Sequence, residues 1–113
     1  MFEKITAKDI MAINLQFAEG NFMNKSSLLY ALDQANESKS WLKQCAFLVR
    51  AILIDHVFEE GNKRTAAAVI VGFFEENALS FHPEEIAEVV AQIVTKNITD
   101  LIATERLIKN AII

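Results

Sequence analysis

His56-Val57-Phe58-Glu59-Glu60-Gly61-Asn62-Lys63-Arg64-Thr65-Ala66 gathers an imidazole, two carboxylates and two adjacent cations in an otherwise largely aliphatic chain. On its N-terminal side Leu42, Ala46, Val49, Leu53 and His56 recur at helical spacing. That spacing predicts a buried stripe ending on the imidazole at a helix C-terminus. On its C-terminal side Ala66, Val69, Ile70 and Phe73 begin a second stripe, and Gly61 and Asn62 supply the break and the N-cap. The stretch therefore predicts a helix-loop-helix hairpin at the middle of the chain.

Lys63 and Arg64 fall in the first turn of the second helix, where the macrodipole makes positive charge unfavourable by about 0.3–1 kcal/mol each. An anion docked on the amides of Gly61, Asn62 and Lys63 would reverse that cost. Triphosphate is the anion this arrangement suggests.

Composition narrows the rest. A chain of 113 residues with 52% apolar content, three glycines and one proline is expected to form one all-α domain spanning 1–113, a bundle of about six helices. A net charge of −4 without a basic run argues against a nucleic-acid surface. Apolar runs are broken by charge before the roughly 18 residues a membrane span needs. Glu3 and Lys4 stand where a signal peptide would be apolar. A soluble, cytoplasmic protein is expected, with protein or small-molecule partners. The single Cys45 lies in the Leu42 to Leu53 stripe and reads as a core residue rather than a catalytic thiol.

Outward from the hairpin, Thr6-Ala7-Lys8-Asp9 resembles a capping box and opens a helix through Ile10, Ile13 and Phe17 to about Ala18. Residues 19–25 collect turn formers, and Ser26 or Ser27 caps a short helix through Leu28, Leu29, Leu32 and Ala35. Ser38 or Ser40 opens the helix from Trp41 to His56, and Asn62 opens the one to about Asn77. Leu79 to Pro83 reads as an extended link, and Pro83, Glu84 and Glu85 start a helix whose buried face is Ile86, Val89, Val90, Ile93 and Val94. Asn97 ends that helix, Thr99-Asp100 caps the last one, and Leu101, Ile102, Leu107, Ile108 and Ile112 form its stripe. The apolar end Ala111-Ile112-Ile113 either packs on the bundle or serves a homo-oligomer contact.

The run from His56 to Ala66 resembles the signature of the Fic/Doc family. That signature is His-Pro-Phe-x-Asp/Glu-Gly-Asn-Gly-Arg-x-x-Arg in the Fic branch and His-x-Phe-x-Asp-Ala-Asn-Lys-Arg-Thr-Ala in the Doc, or death-on-curing, branch. The resemblance implies an all-helical fold. It also implies transfer of part of ATP to a hydroxyl of a target protein, AMP in most Fic members and a phosphoryl group in Doc. Lys63, Arg64, Thr65 and Ala66 follow Doc, and Gly61 follows Fic. Ala67 stands where Fic carries a second arginine that contacts the terminal phosphate. The lead reading is a Doc-like phosphoryl transferase, with AMP transfer as the alternative and a non-catalytic binding or toxin–antitoxin module as a third.

Under this resemblance His56 is the general base, because imidazole can accept a hydroxyl proton near neutral pH. Its bland counterpart is a core or capping histidine. Glu60 is the metal ligand, holding Mg²⁺ through one carboxylate, phosphate oxygens and waters; otherwise it pairs with Lys63 or Arg64. Gly61, Asn62 and Lys63 present amides to phosphate, Gly61 by allowing close backbone approach and Asn62 with an additional side-chain amide. Lys63 and Arg64 neutralise charge on the transferring group. Phe58 is read as an anchor, and Glu59 as solvated.

The resemblance also assigns residues 19–26 to a flap that holds the target's acceptor segment by backbone hydrogen bonds. A translation factor is the type of target it suggests. Self-inhibited Fic proteins carry a Ser/Thr-x-x-x-Glu-Gly/Asn helix, and Leu15 occupies the Ser/Thr position before Glu19-Gly20. Restraint would then come from a separate antitoxin chain, as in toxin–antitoxin pairs, or be lacking.

Overall fold

Thr6 starts the first helix in a reciprocal capping box: its hydroxyl accepts from the Asp9 amide at 3.2 Å, and its own amide donates to Asp9 Oδ2 at 2.8 Å. In the computed structural model, which describes residues 4–113, six helices follow one another: α1 Ala7–Asn14, α2 Lys25–Glu37, α3 Trp41–Ile54, α4 Asn62–Glu76, α5 Pro83–Thr95 and α6 Leu101–Lys109. Glu3 lies outside the described residues. The expected all-α bundle is the fold observed, and no described helix is long and apolar enough to cross a membrane.

α3 is the central element, packed against α2, α4, α5 and α6. Its Cys45, Ala46, Leu48, Val49 and Ile52 have no exposed surface. Ser40 caps it by accepting from the Lys43 amide at 3.2 Å. Burial pushes the Cys45 thiol far above its ordinary value, so it stays neutral and serves as core, as expected.

Several boundaries differ from the sequence reading. α1 ends at Asn14 rather than Ala18, because residues 16–18 fold into turns bonded to Ile13 and Asn14 and leave Leu15 and Phe17 exposed. α2 is entered through Asn24, not Ser26 or Ser27. Instead of capping, the Asn24 carboxamide donates to the Asp55 carbonyl at 3.1 Å, tying this entrance to the end of α3. Leu29 and Ile102, expected in buried stripes, are half exposed or more, since their helices are covered along one narrow face only.

The larger correction concerns His56. α3 stops at Ile54 with Asp55 as its C-cap, and His56 follows in the left-handed region at φ +52°, exposed rather than closing a buried stripe. Glycine usually occupies such a position after a helix, because a Cβ there is strained.

At the other end, Asp100 caps α6 by accepting from the Ala103 amide at 2.9 Å. The C-terminal residues lie on the bundle: Phe81 and Ile112 form an antiparallel bridge, flanked by bonds from the His82 amide to Ala111 and from the Ile113 amide to Ser80. Ala111 is buried and Ile112 packs on the core, while Ile113 is 72% exposed.

Candidate functional site

The loop between α3 and α4 is held by its own polar side chains and by the segment after α1. Phe58 is 1% exposed and stacks on Phe22 with ring centroids 5.1 Å apart, so it is the anchor expected of it. Asn62 then clasps the Phe58 backbone from both sides: its Oδ1 accepts from the Phe58 amide at 3.0 Å and its Nδ2 donates to the Phe58 carbonyl at 2.9 Å. The Asn62 carboxamide is thus engaged with the loop through Oδ1 and one Nδ2 hydrogen, and its second Nδ2 hydrogen and its backbone amide are left uncommitted.

Gly61, at φ +77°, is the N-cap of α4, and Asn62 is the first helical residue rather than the cap. The glycine is required by the fold itself. A Cβ there would stand 3.1 Å from the Ala18 Cβ and 3.2 Å from Asn14 Nδ2. Gly61→Ala is expected to destabilise the protein by about 1–3 kcal/mol through left-handed strain and this crowding; thermal melting of the variant checks it.

Thr65 N–H donates to the Gly61 carbonyl at 2.9 Å, and the amides of Asn62, Lys63 and Arg64 before it have no protein acceptor among the described residues. Those are the orphan donors of a helix N-terminus. No acidic side chain occupies this turn, and Lys63 and Arg64 are both exposed in it. Neither pairs with Glu59 or Glu60; the one ion pair among the described residues is His82–Glu84. The bland reading of these cations as partners of the neighbouring carboxylates is therefore not what the geometry contains.

These groups open on one cleft of about 480 Å³ lined by Phe17, Leu53, His56, Glu59, Glu60, Gly61, Asn62, Lys63, Arg64 and Val94. Every sequence-predicted site residue borders it. A smaller apolar recess shares Lys63 and Arg64 and runs between Ala67 of α4 and Ala87, Val90 and Ala91 of α5.

No family model, no curated protein and no solved structure matches this chain.

Among the described residues no three His, Cys, Asp or Glu side chains converge as a metal cage. Glu60, exposed at the cleft, is a single carboxylate with Glu59 as neighbour. That donor set suits Mg²⁺, which keeps waters and takes most remaining ligands from phosphate oxygens, and does not suit an ion retained by protein alone.

The segment 21–24 pairs along the loop. The Glu59 amide donates to Asn21, the Met23 and Asn24 amides donate to Val57, and Phe22 faces Phe58 in an antiparallel bridge. The sequence reading missed Asn14, the last residue of α1. Its signal was a carboxamide four residues after Ile10, on the helix face that Ile10 buries.

Proposed function

We propose that this protein is a Doc-like transferase of the Fic/Doc type that moves the γ-phosphoryl group of ATP to a serine, threonine or tyrosine hydroxyl of a target protein. The observation that carries the reading is the meeting of an exposed imidazole, three unpartnered helix-start amides and two unpaired cations in one cleft. A triphosphate complements all of these at once.

In this mechanism the amides of Asn62, Lys63 and Arg64 donate hydrogen bonds to phosphate oxygens, and the Lys63 and Arg64 side chains balance charge on the group in flight. His56 takes the hydroxyl proton as the acceptor oxygen forms its bond to the γ-phosphorus. The bond from that phosphorus to the β–γ bridging oxygen breaks, and ADP leaves. Glu60 would hold Mg²⁺, whose contribution is to neutralise phosphate charge. The target segment would lie along residues 21–24, where the amide and carbonyl of Phe22 carry no backbone partner among the described residues.

AMP transfer, with pyrophosphate leaving from the α-phosphorus, is the alternative reading. It is disfavoured by Ala67, which lines an apolar recess where the Fic branch has its phosphate-contacting arginine. A separate antitoxin chain is the proposed restraint. Glu19 lies in the loop beyond α1, not on a helix positioned to block the cleft.

ATP labelled separately at the α and γ phosphates decides between the chemistries. The γ label is expected on a protein in lysate, and transfer of α label instead would establish AMP transfer. Binding is checked independently by melting. Mg²⁺ with ATP at about 100 times its Kd should stabilise the fold by about 2.7 kcal/mol, a rise in Tm of roughly 10 °C or more. Mg²⁺ alone should produce no comparable rise. Absence of any shift at millimolar ATP would favour a non-catalytic binding module.

A further inference from the structure

Asn14 has no exposed surface, and its carboxamide reaches three separate pieces of chain. Its Nδ2 donates to the Glu60 carbonyl at 2.9 Å and to the Thr65 hydroxyl at 3.0 Å, and its Oδ1 accepts from the Gly20 amide at 2.9 Å. Both amide hydrogens are thereby used. A buried carboxamide is costly unless so satisfied, and an aliphatic residue would extend the Ile10 stripe without that cost. Something other than core packing must account for it.

The Glu60 carbonyl and the Gly61 N–H belong to one planar peptide, and in a trans peptide they point to opposite sides. Holding the carbonyl toward α1 therefore directs the Gly61 N–H away from α1. Gly61 borders the cleft shared with His56, while Asn14 borders a separate cavity of about 210 Å³ behind Glu59 and Glu60. Gly61 also packs closely on Asn14, whose Nδ2 would lie 3.2 Å from a Cβ at that position.

We infer that Asn14 is a positioning residue for the anion-binding turn: by fixing the Glu60–Gly61 peptide it aims the Gly61 amide, and the amides that follow, into the cleft. Asn14 touches no nucleotide and acts through Gly61. Its consequence for binding rests on the proposed nucleotide role, whereas its hold on the loop does not.

The test compares the full chain with Asn14→Ala, Asn14→Asp and Thr65→Val. The aspartate variant keeps an acceptor for Gly20 and loses both donors; the valine variant removes one Asn14 partner while leaving the Glu60 bond. In amide-resolved NMR without nucleotide, both Asn14 variants are expected to shift the Gly61 and Asn62 signals. The hydrogen-bonded amides of the same turn, Phe58 and Thr65, should exchange about tenfold faster, with core amides such as Ile52 and Ile70 unchanged. With Mg²⁺ and ATP, both should weaken binding by about tenfold or more. Thr65→Val should leave both readouts near wild type. Wild-type Gly61 and Asn62 signals in both Asn14 variants would overturn the inference. So would equal disturbance by Thr65→Val, or unfolding of both Asn14 variants, which would mark a folding role only. A wild-type protein that binds no ATP would defeat the nucleotide reading alone, and the nucleotide-free spectra would still decide the role of Asn14.

Discussion

His56→Ala is expected to reduce γ-phosphoryl transfer by roughly 10²–10⁴-fold, the usual contribution of a positioned general base. Binding of Mg²⁺ and ATP should be nearly unchanged, because the helix-start amides, Lys63 and Arg64 are left intact. His56→Gly provides the companion measurement. The residue sits at φ +52°, and glycine there should relieve about 1 kcal/mol of backbone strain. A variant that melts higher than wild type yet transfers no phosphate would show that a strained, exposed histidine is retained for chemistry. Unchanged transfer in both variants would remove His56 from the mechanism.

Phe58→Ala should have the largest effect on stability, about 3–5 kcal/mol. For a domain of this size that corresponds to a fall in Tm of roughly 12 °C or more. Phe58 is buried against Phe22, and its backbone amide and carbonyl are both bound by the Asn62 side chain. Removing the ring empties a core site and loosens the loop that carries His56 and Gly61. Nucleotide binding should therefore fall with stability, unlike in His56→Ala. Phe58→Leu, which keeps much of the apolar volume, should recover most of both. A melting temperature within a few degrees of wild type for Phe58→Ala would show that the loop is held by its polar bonds alone.

The central hairpin was legible because its two stripes, Leu42 to Leu53 and Ala66 to Phe73, are periodic, and Gly61-Asn62 interrupts them. The Thr6 capping box and the Asp100 cap bond to partners three residues away and the Pro83 start is set by one residue, so local spacing revealed them, while for α3 it left Ser38 and Ser40 as alternatives and the structure selects Ser40. Asn24 and Asn62 were harder. An asparagine beside a helix start suits capping, but here Asn24 donates to Asp55 and Asn62 clasps Phe58. Local propensity identifies a carboxamide that needs partners without identifying which ones.

The amino-acid order by itself determined that this chain is helical, where its core stripes run, and that its reactive side chains cluster between residues 56 and 66, since periodicity, capping chemistry and adjacency are properties of neighbours. Tertiary structure decided that His56 leaves its helix and faces solvent, that the α4 amides stay free, and that Asn14 grips the loop from 46 residues away. Those outcomes depend on which groups meet after the helices pack, and a hydrogen bond to a distant carbonyl leaves no period in the sequence.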